Sequence, residues 1–346
     1  MSFFLSLPYT FHREVMPLLD PHQVVHWAID EPYFRYILSL VKIPAEKLTW
    51  NFKERFYISI EFDGLDPIKF YIPDWLPRYR KTKKTEAIDT WSLKFEIVKH
   101  KPVTRRNPFY ENVAMPTRES IPPGTTKMEL MEAVTNYLRE MLRIKKYSVS
   151  SYHSKSINFF NCFIWKVAGK FASVEFTSPK SLELGRASEE LKMLQEKQEI
   201  EKLVVHFRNT KNQHGYTSPL KRKFVTIEDS EFIQLDSLLY SESSQVTVLR
   251  SEFNGIDVNA IIKQWMNGGL NNLEMLRLKL NKMTFADEVF NDIEVVPTST
   301  KPHPLASGLT RIHWTHSVDI CRSCDGRLAT IFYLGSKIFD FFIWKN

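Results

Sequence analysis

The chain has 346 residues, with 47 Lys and Arg against 40 Asp and Glu for a formal net charge of +7; it is 43% hydrophobic and 25% charged. That length fits about two domains, and that apolar content excludes a disordered chain. Gly is scarce at 11 residues, and neither GxGxxG nor GxxxxGK followed by Ser or Thr occurs, which argues against a nucleotide fold whose phosphate loop needs backbone free of Cβ.

Residues 5–43 read as three short helices. Phe11, Val15, Leu18 and Leu19 fall at i, i+4, i+7 and i+8, one helical face. Asp20-Pro21 predicts a restart, with Asp20 as N-cap and Pro21 at the first helical position, and Val24, Val25 and Ala28 continue the stripe. Asp30-Glu31-Pro32 repeats the signal; Phe34, Ile37, Leu38 and Val41 make the third face, which Pro44 is expected to end. Such a module is too small for a core of its own and should lean on a partner or on the rest of the chain.

From residue 48 the period changes. Phe56, Ile58, Ile60 and Phe62 alternate with polar neighbours as a strand, Asp63-Gly64 turns, and Ile68–Ile72 returns. Trp91, Leu93, Phe95 and Ile97 alternate again, after a basic loop at Arg78–Lys84. Residues 101–126 read as a long loop or linker. Beyond them helix and strand alternate. The expected order is helix at Leu130–Met141, strand at Tyr147–Tyr152, helix at Phe160–Val167, strand at Phe171–Phe176, helix around Leu191 and Leu194, and strands at Leu203–Phe207 and Phe224–Ile227. A helix near Leu235–Leu239 and a strand at Val246–Arg250 follow. The clearest unit is Asp257–Leu280: Asp257 caps, Val258, Ile261, Ile262, Trp265 and Met266 form one helical face, Gly268-Gly269 stops it, and Leu273–Leu280 is a strand. This alternation predicts parallel β-α units, and Leu273, Leu276, Leu278 and Leu280 echo a leucine-rich-repeat strand in a degenerate form. The tail returns to β at Val318–Cys321, Leu328–Tyr333 and Ile338–Trp344. The fold class expected is α/β: residues 1–45 as three helices, 46–126 as a β-rich segment and loop, and 127–346 as an α/β domain of antiparallel strands and β-α units.

No catalytic constellation emerges. GxSxG and HExxH are absent, and the ten His residues show no catalytic grouping. Three Cys, an odd number, form no disulfide framework and point to a reducing compartment, cytoplasmic or nuclear. Cys162 reads as a buried small hydrophobe. His313-x-x-His316 and Cys321-x-x-Cys324 have the donor types of a zinc site, but in a strand a three-residue offset puts side chains on opposite faces, so no metal and no cofactor is expected. The apolar start, Met1–Leu7, is short and lacks a basic flank, so neither a signal peptide nor a membrane span is expected.

Two segments resemble known families. Leu7-Pro8, Glu14-Val15, Leu18-Leu19-Asp20-Pro21 and Val24-Val25 resemble the F-box, although Ile29-Asp30-Glu31-Pro32 stands where that family carries a Ser/Cys and Lys/Arg-rich stretch. Asn259–Gly268 (NAIIKQWMNG), Leu273-Glu274-Met275-Leu276, and Asp319–Gly326 with Ala329-Thr330-Ile331 resemble the F-box associated type 2 domain of the large nematode F-box family. The resemblance implies a non-catalytic substrate adaptor of a Skp-cullin-F-box ubiquitin ligase, with a Skp-type adaptor as partner, a cullin behind it and an unknown target. Leu7, Pro8, Val15, Leu18, Leu19, Pro21, Val24 and Val25 would be the partner-binding residues. Loops 101–126, 208–223 and 293–310 are candidates for target recognition. Two alternatives remain: a repeat-type interaction scaffold outside any ligase, and a basic RNA-binding protein using Arg78–Lys84; with the adaptor as the reading, no nucleic acid partner is expected.

Overall fold

The computed structural model describes residues 7–76, 93–100, 111–152, 159–178, 186–196, 199–207, 215–298, 317–334 and 337–344. The fold is mixed α/β, and the chain divides into two compact units, Met1–Ala172 and Ser173–Asn346. The basic loop Arg78–Lys84, His313 and His316 lie outside the described residues.

The first unit opens with α1 (Tyr9–Val15), a 3₁₀ turn (Met16–Leu18), α2 (Pro21–Asp30) and α3 (Pro32–Val41). Asp20 caps α2 by accepting from the His22 N–H at 2.9 Å, and Pro21 occupies the first turn as its spacing predicts. The end of α3 differs from expectation. Lys42 stops it in a left-handed conformation (φ 51), and Pro44 lies inside strand β1 (Ile43–Phe52), which the sequence reading missed. β2 (Phe56–Glu61) and β3 (Ile68–Tyr71) follow as antiparallel neighbours. β4 (Phe95–His100) and β5 (Glu111–Pro116) complete that edge, so part of the expected loop 101–126 is a strand. Helix α4 (Lys127–Met141) starts with a capping box in which Thr126 and Glu129 exchange hydrogen bonds. It leads directly into β6 (Leu142–Tyr152), which pairs parallel with β1, so residues on either side of 126/127 share one sheet.

The core of this unit lies between that sheet and α4. Trp50 is fully buried, donates to Thr135 Oγ1 of α4 at 2.9 Å and stacks on Tyr147 at 5.4 Å. The second and third N-terminal helices pack against α4. Tyr137 donates to the Ala28 carbonyl, and the buried Arg35 of α3 pairs with Glu140 at 2.7 Å while lying 4.0 Å over the Tyr137 ring. Burial pushes the Tyr137 phenol well up. A short 3₁₀ turn (Phe159–Asn161) and α5 (Ile164–Val167) precede β7 (Lys170–Thr177), within which the division of the chain falls.

The second unit runs α6 (Arg186–Glu196), β8 (Glu199–His206), β9 (Phe224–Glu228), α7 (Leu235–Leu239), β10 (Gln245–Ser251), α8 (Gly255–Met266) and β11 (Met275–Leu280). Then come α9 (Ala286–Val289), β12 (Val296–Pro297), β13 (Ser317–Cys321), β14 (Leu328–Leu334) and β15 (Ile338–Ile343). Strands β8 to β11 are parallel and lie side by side in chain order, and β15, β14, β13 and β12 extend the sheet antiparallel. Register aligns one buried column across five strands: Val205, Ile227, Val248, Leu278 and Phe339. A second column is Leu203, Val225, Val246, Leu276 and Phe341. The period of two sends Val204, Thr226, Thr247 and Arg277 to the opposite face, where each is half-buried.

Four of the five residues of the expected α8 stripe are buried, and the fifth, Met266, is only half-buried at the helix end. Val258, Ile261, Ile262 and Trp265 are all fully buried, and Gly268 (φ +85) supplies the left-handed stop after the helix. The cap is Asn254 rather than Asp257: Asn254 accepts from the Asp257 N–H, and Asp257 accepts from the Asn254 N–H. Tyr216, nearly sealed before β9, has its phenol pushed up to about 12, mainly by burial and then by the Glu196 charge. Its folded form therefore holds the proton more tightly than the unfolded chain. That contribution is complete below the unfolded value near about 10 and is lost as pH rises toward 12. Urea midpoints should fall between pH 9 and 12, and Tyr216→Phe should make that fall shallower than in the wild type.

Candidate functional site: an apolar face on the N-terminal helices

The N-terminal helices expose apolar side chains in two stripes. On α1 and the following turn, Phe11 is 37% and Leu18 is 84% exposed, Pro8 is exposed, and Leu7, Val15 and Leu19 are half-buried. The inward side of this segment is filled by His12 and Met16 instead, at 2% and 1% exposure. Pro17 has no N–H to continue the α-helical ladder, so the chain tightens into the 3₁₀ turn and carries Leu18 outward. The Phe11, Val15, Leu18, Leu19 stripe read from the sequence is thus the outer face.

Val24 and Val25 go the other way. They are 0% and 1% exposed, part of the unit's own core, and are withdrawn from the set of partner-facing residues. The reason is the packing of α2 against α3, where Trp27 and Phe34 meet edge to face at 5.4 Å. Pro21 is half-buried at the start of α2.

The second stripe was missed. Tyr33, Tyr36 and Leu40 of α3 are each about half exposed at i, i+3 and i+7, and the two tyrosine rings lie 6.3 Å apart. Phe34, Ile37 and Leu38 on the far side of the same helix are buried. The signal was readable: α3 is apolar nearly all round, and such a helix is normally covered on both sides.

No competing chemical site stands out among the described residues. Among the described residues, no group of three or more His, Cys, Asp or Glu is placed to hold a metal ion. Cys162 is buried; Cys321, the last residue of β13, and Cys324, in the turn that follows it, are exposed. No helix among the described residues is long and apolar enough to cross a membrane.

The polar residues of the C-terminal motif are consumed inside the second unit. Asp319 accepts from Thr330 at 2.7 Å and from Thr298 at 3.1 Å. Arg322, almost fully buried, binds the Asn271 side chain at 3.0 Å and Asp325 at 2.9 Å, and its guanidinium lies 5.4 Å over Trp265. That bond holds the Asp325 carboxyl well below the usual carboxylate range. Trp344 donates to Thr330 at 3.0 Å. These residues tie the β13–β14 turn and the C-terminal strands to the end of α8.

With this geometry in place, comparison with known proteins adds one finding. Residues 218–278, from just before β9 into β11, match the model of the family described as F-box associated. No curated protein and no solved structure matches the chain.

Proposed function

We propose that this chain is a non-catalytic substrate-recognition adaptor of a Skp-cullin-F-box type ubiquitin ligase. The observation that carries the reading is the F-box associated match over residues 218–278. The exposed face around Pro8, Val15, Leu18 and Leu19 supports it, because a solvated leucine beside a folded helix pair gains most when another protein covers it. In this reading residues 1–45 form an F-box that docks on a Skp-type adaptor and through it a cullin, in cytoplasm or nucleus. The remainder holds a target protein, so that the target's effective concentration near the conjugating enzyme rises without chemistry on this chain.

The test is co-purification of the full chain with a Skp-type adaptor. Wild type should bind, and Leu18→Asp should weaken binding by roughly 30-fold or more, the size of an interface anchor. Leu18 is 84% exposed, so the variant should keep the wild-type circular dichroism and melting midpoint. Failure of the wild type to bind any Skp-type adaptor would remove the ligase role and leave an interaction scaffold.

A further inference from the structure

We propose that the loops leaving the carboxyl ends of β10 and β11 form the docking platform for the target, and that the segment it takes is basic with apolar anchors. The assignment rests on the adaptor reading for the word target; the surface itself stands on its own geometry. Ile256, Met283 and Phe285 are 68%, 64% and 61% exposed, three large apolar side chains at one end of the parallel strands. The two loops are bound to each other. The Asn281 side chain donates to Glu252 at 2.8 Å, its N–H donates to the Ser251 carbonyl at 2.9 Å, and Lys282 pairs with Glu252 at 3.2 Å. Glu288 packs so closely on Gly255 that a Cβ there would collide with it, and it also accepts from the Phe285 N–H, which brings the starts of α8 and α9 together. Asn259 fixes α9 from below by donating to the carbonyls of Val289 and Asn291, each at 2.9 Å. Thr284 meets the Tyr333 hydroxyl at 2.8 Å. The apolar side chains thus stand on a braced support.

Charge identifies the occupant. In a chain of net charge +7, the two loops and helix starts, residues 251–257 and 281–296, carry Glu252, Asp257, Asp287, Glu288, Asp292 and Glu294 against one basic residue, Lys282, which is paired with Glu252. Lys263 pairs with Asp292 at 3.5 Å, whereas Asp287 and Glu294 are exposed and form no ion pair among the described residues. Apolar anchors on loops with an excess of carboxylates repel nucleic acid and anionic lipid, and they attract a peptide whose hydrophobic residues are interspersed with Lys or Arg.

The probes are two fluorescein-labelled amphipathic peptides of the same pattern, one built from Leu, Phe and Lys and the other with every Lys replaced by Glu, read by fluorescence anisotropy against the full chain. The Lys peptide should bind saturably, weaken with added salt, and bind at least about tenfold more tightly than the Glu peptide. Met283→Ser with Phe285→Ser should cost about tenfold or more, and Asp287→Lys with Glu294→Lys should cost the Lys peptide a similar factor. All four positions are exposed, so the variants should keep the wild-type melting midpoint. Absence of binding, equal binding of the two peptides, or unchanged affinity in either double variant overturns the platform. So does a wild-type dimer in sedimentation that Met283→Ser with Phe285→Ser disperses, since a second copy would then be the occupant. Both double variants should still co-purify with the Skp-type adaptor. Peptide binding without any adaptor binding by the wild type sinks the ligase reading and leaves the platform standing.

Discussion

Replacing Trp265 with Ala is expected to cost about 3–5 kcal/mol of folding stability, a large share of the 5–15 kcal/mol that holds an ordinary domain together. Trp265 is fully buried in α8, meets Phe341 of β15 edge to face at 5.3 Å, and lies under the Arg322 guanidinium. The ring therefore joins the helix inside the F-box associated match to the strands that follow it. Its removal opens a cavity between rigid walls and strips the buried Arg322 of its aromatic cover. Trp265→Phe should behave differently. Among the described residues the buried indole Nε1 has no hydrogen-bond partner, a desolvation cost of about 1–3 kcal/mol that Phe does not incur. That gain offsets part of the smaller cavity, so Trp265→Phe should lie within about 1.5 kcal/mol of wild type. Urea unfolding of both variants measures the contrast; equal losses would mean that volume at this site matters less than the packing implies.

Local signals explain what was legible. The α8 stripe was readable because four inward side chains repeat at helical spacing and Gly268 closes the turn. Asp20-Pro21 was readable because cap and first-turn proline are adjacent in sequence. Asp257 reads as a cap in sequence because a capping box has two polar ends that accept from each other, and either could begin the helix until the backbone shows that Asn254 does. Strand β1 was hidden by Pro44, which ends helices but is tolerated near the start of a strand. Strand β5 was hidden in a polar stretch whose partner strands lie elsewhere in the chain.

The candidate site was legible by half, for a related reason. Periodicity shows that a side chain lies on an apolar stripe, but whether the stripe faces inward depends on distant contacts. Val24 and Val25 are buried within a helix pair anchored by Tyr137 and Glu140, more than a hundred residues downstream. Leu18 carries the same apolar character, but the 3₁₀ turn at Met16–Leu18 points it outward. Tyr33, Tyr36 and Leu40 were passed over because the inner stripe of α3 had already accounted for the helix.

Breaking the Arg277–Asp340 pair should be strongly asymmetric. The two residues face each other across β11 and β15 and form two hydrogen bonds, Nε to Oδ1 at 2.7 Å and Nη2 to Oδ2 at 3.1 Å, which raise the proton affinity of the guanidinium. The Asp340 side chain is 1% exposed, whereas that of Arg277 is 35% exposed. Arg277→Ala strands a sealed carboxylate and should cost about 3–5 kcal/mol. Asp340→Ala leaves a guanidinium that water already reaches in part, and it should cost about 1–2 kcal/mol. Arg277→Met with Asp340→Leu removes both charges and fills the space, so it should come close to wild type despite losing the pair. Adding Arg277→Ala with Asp340→Ala to the two single variants and the wild type closes a double-variant cycle in urea unfolding, whose coupling measures what the remaining charge suffers rather than what the pair contributes. A loss for Asp340→Ala as large as that for Arg277→Ala would show that burial of the carboxylate does not set the asymmetry.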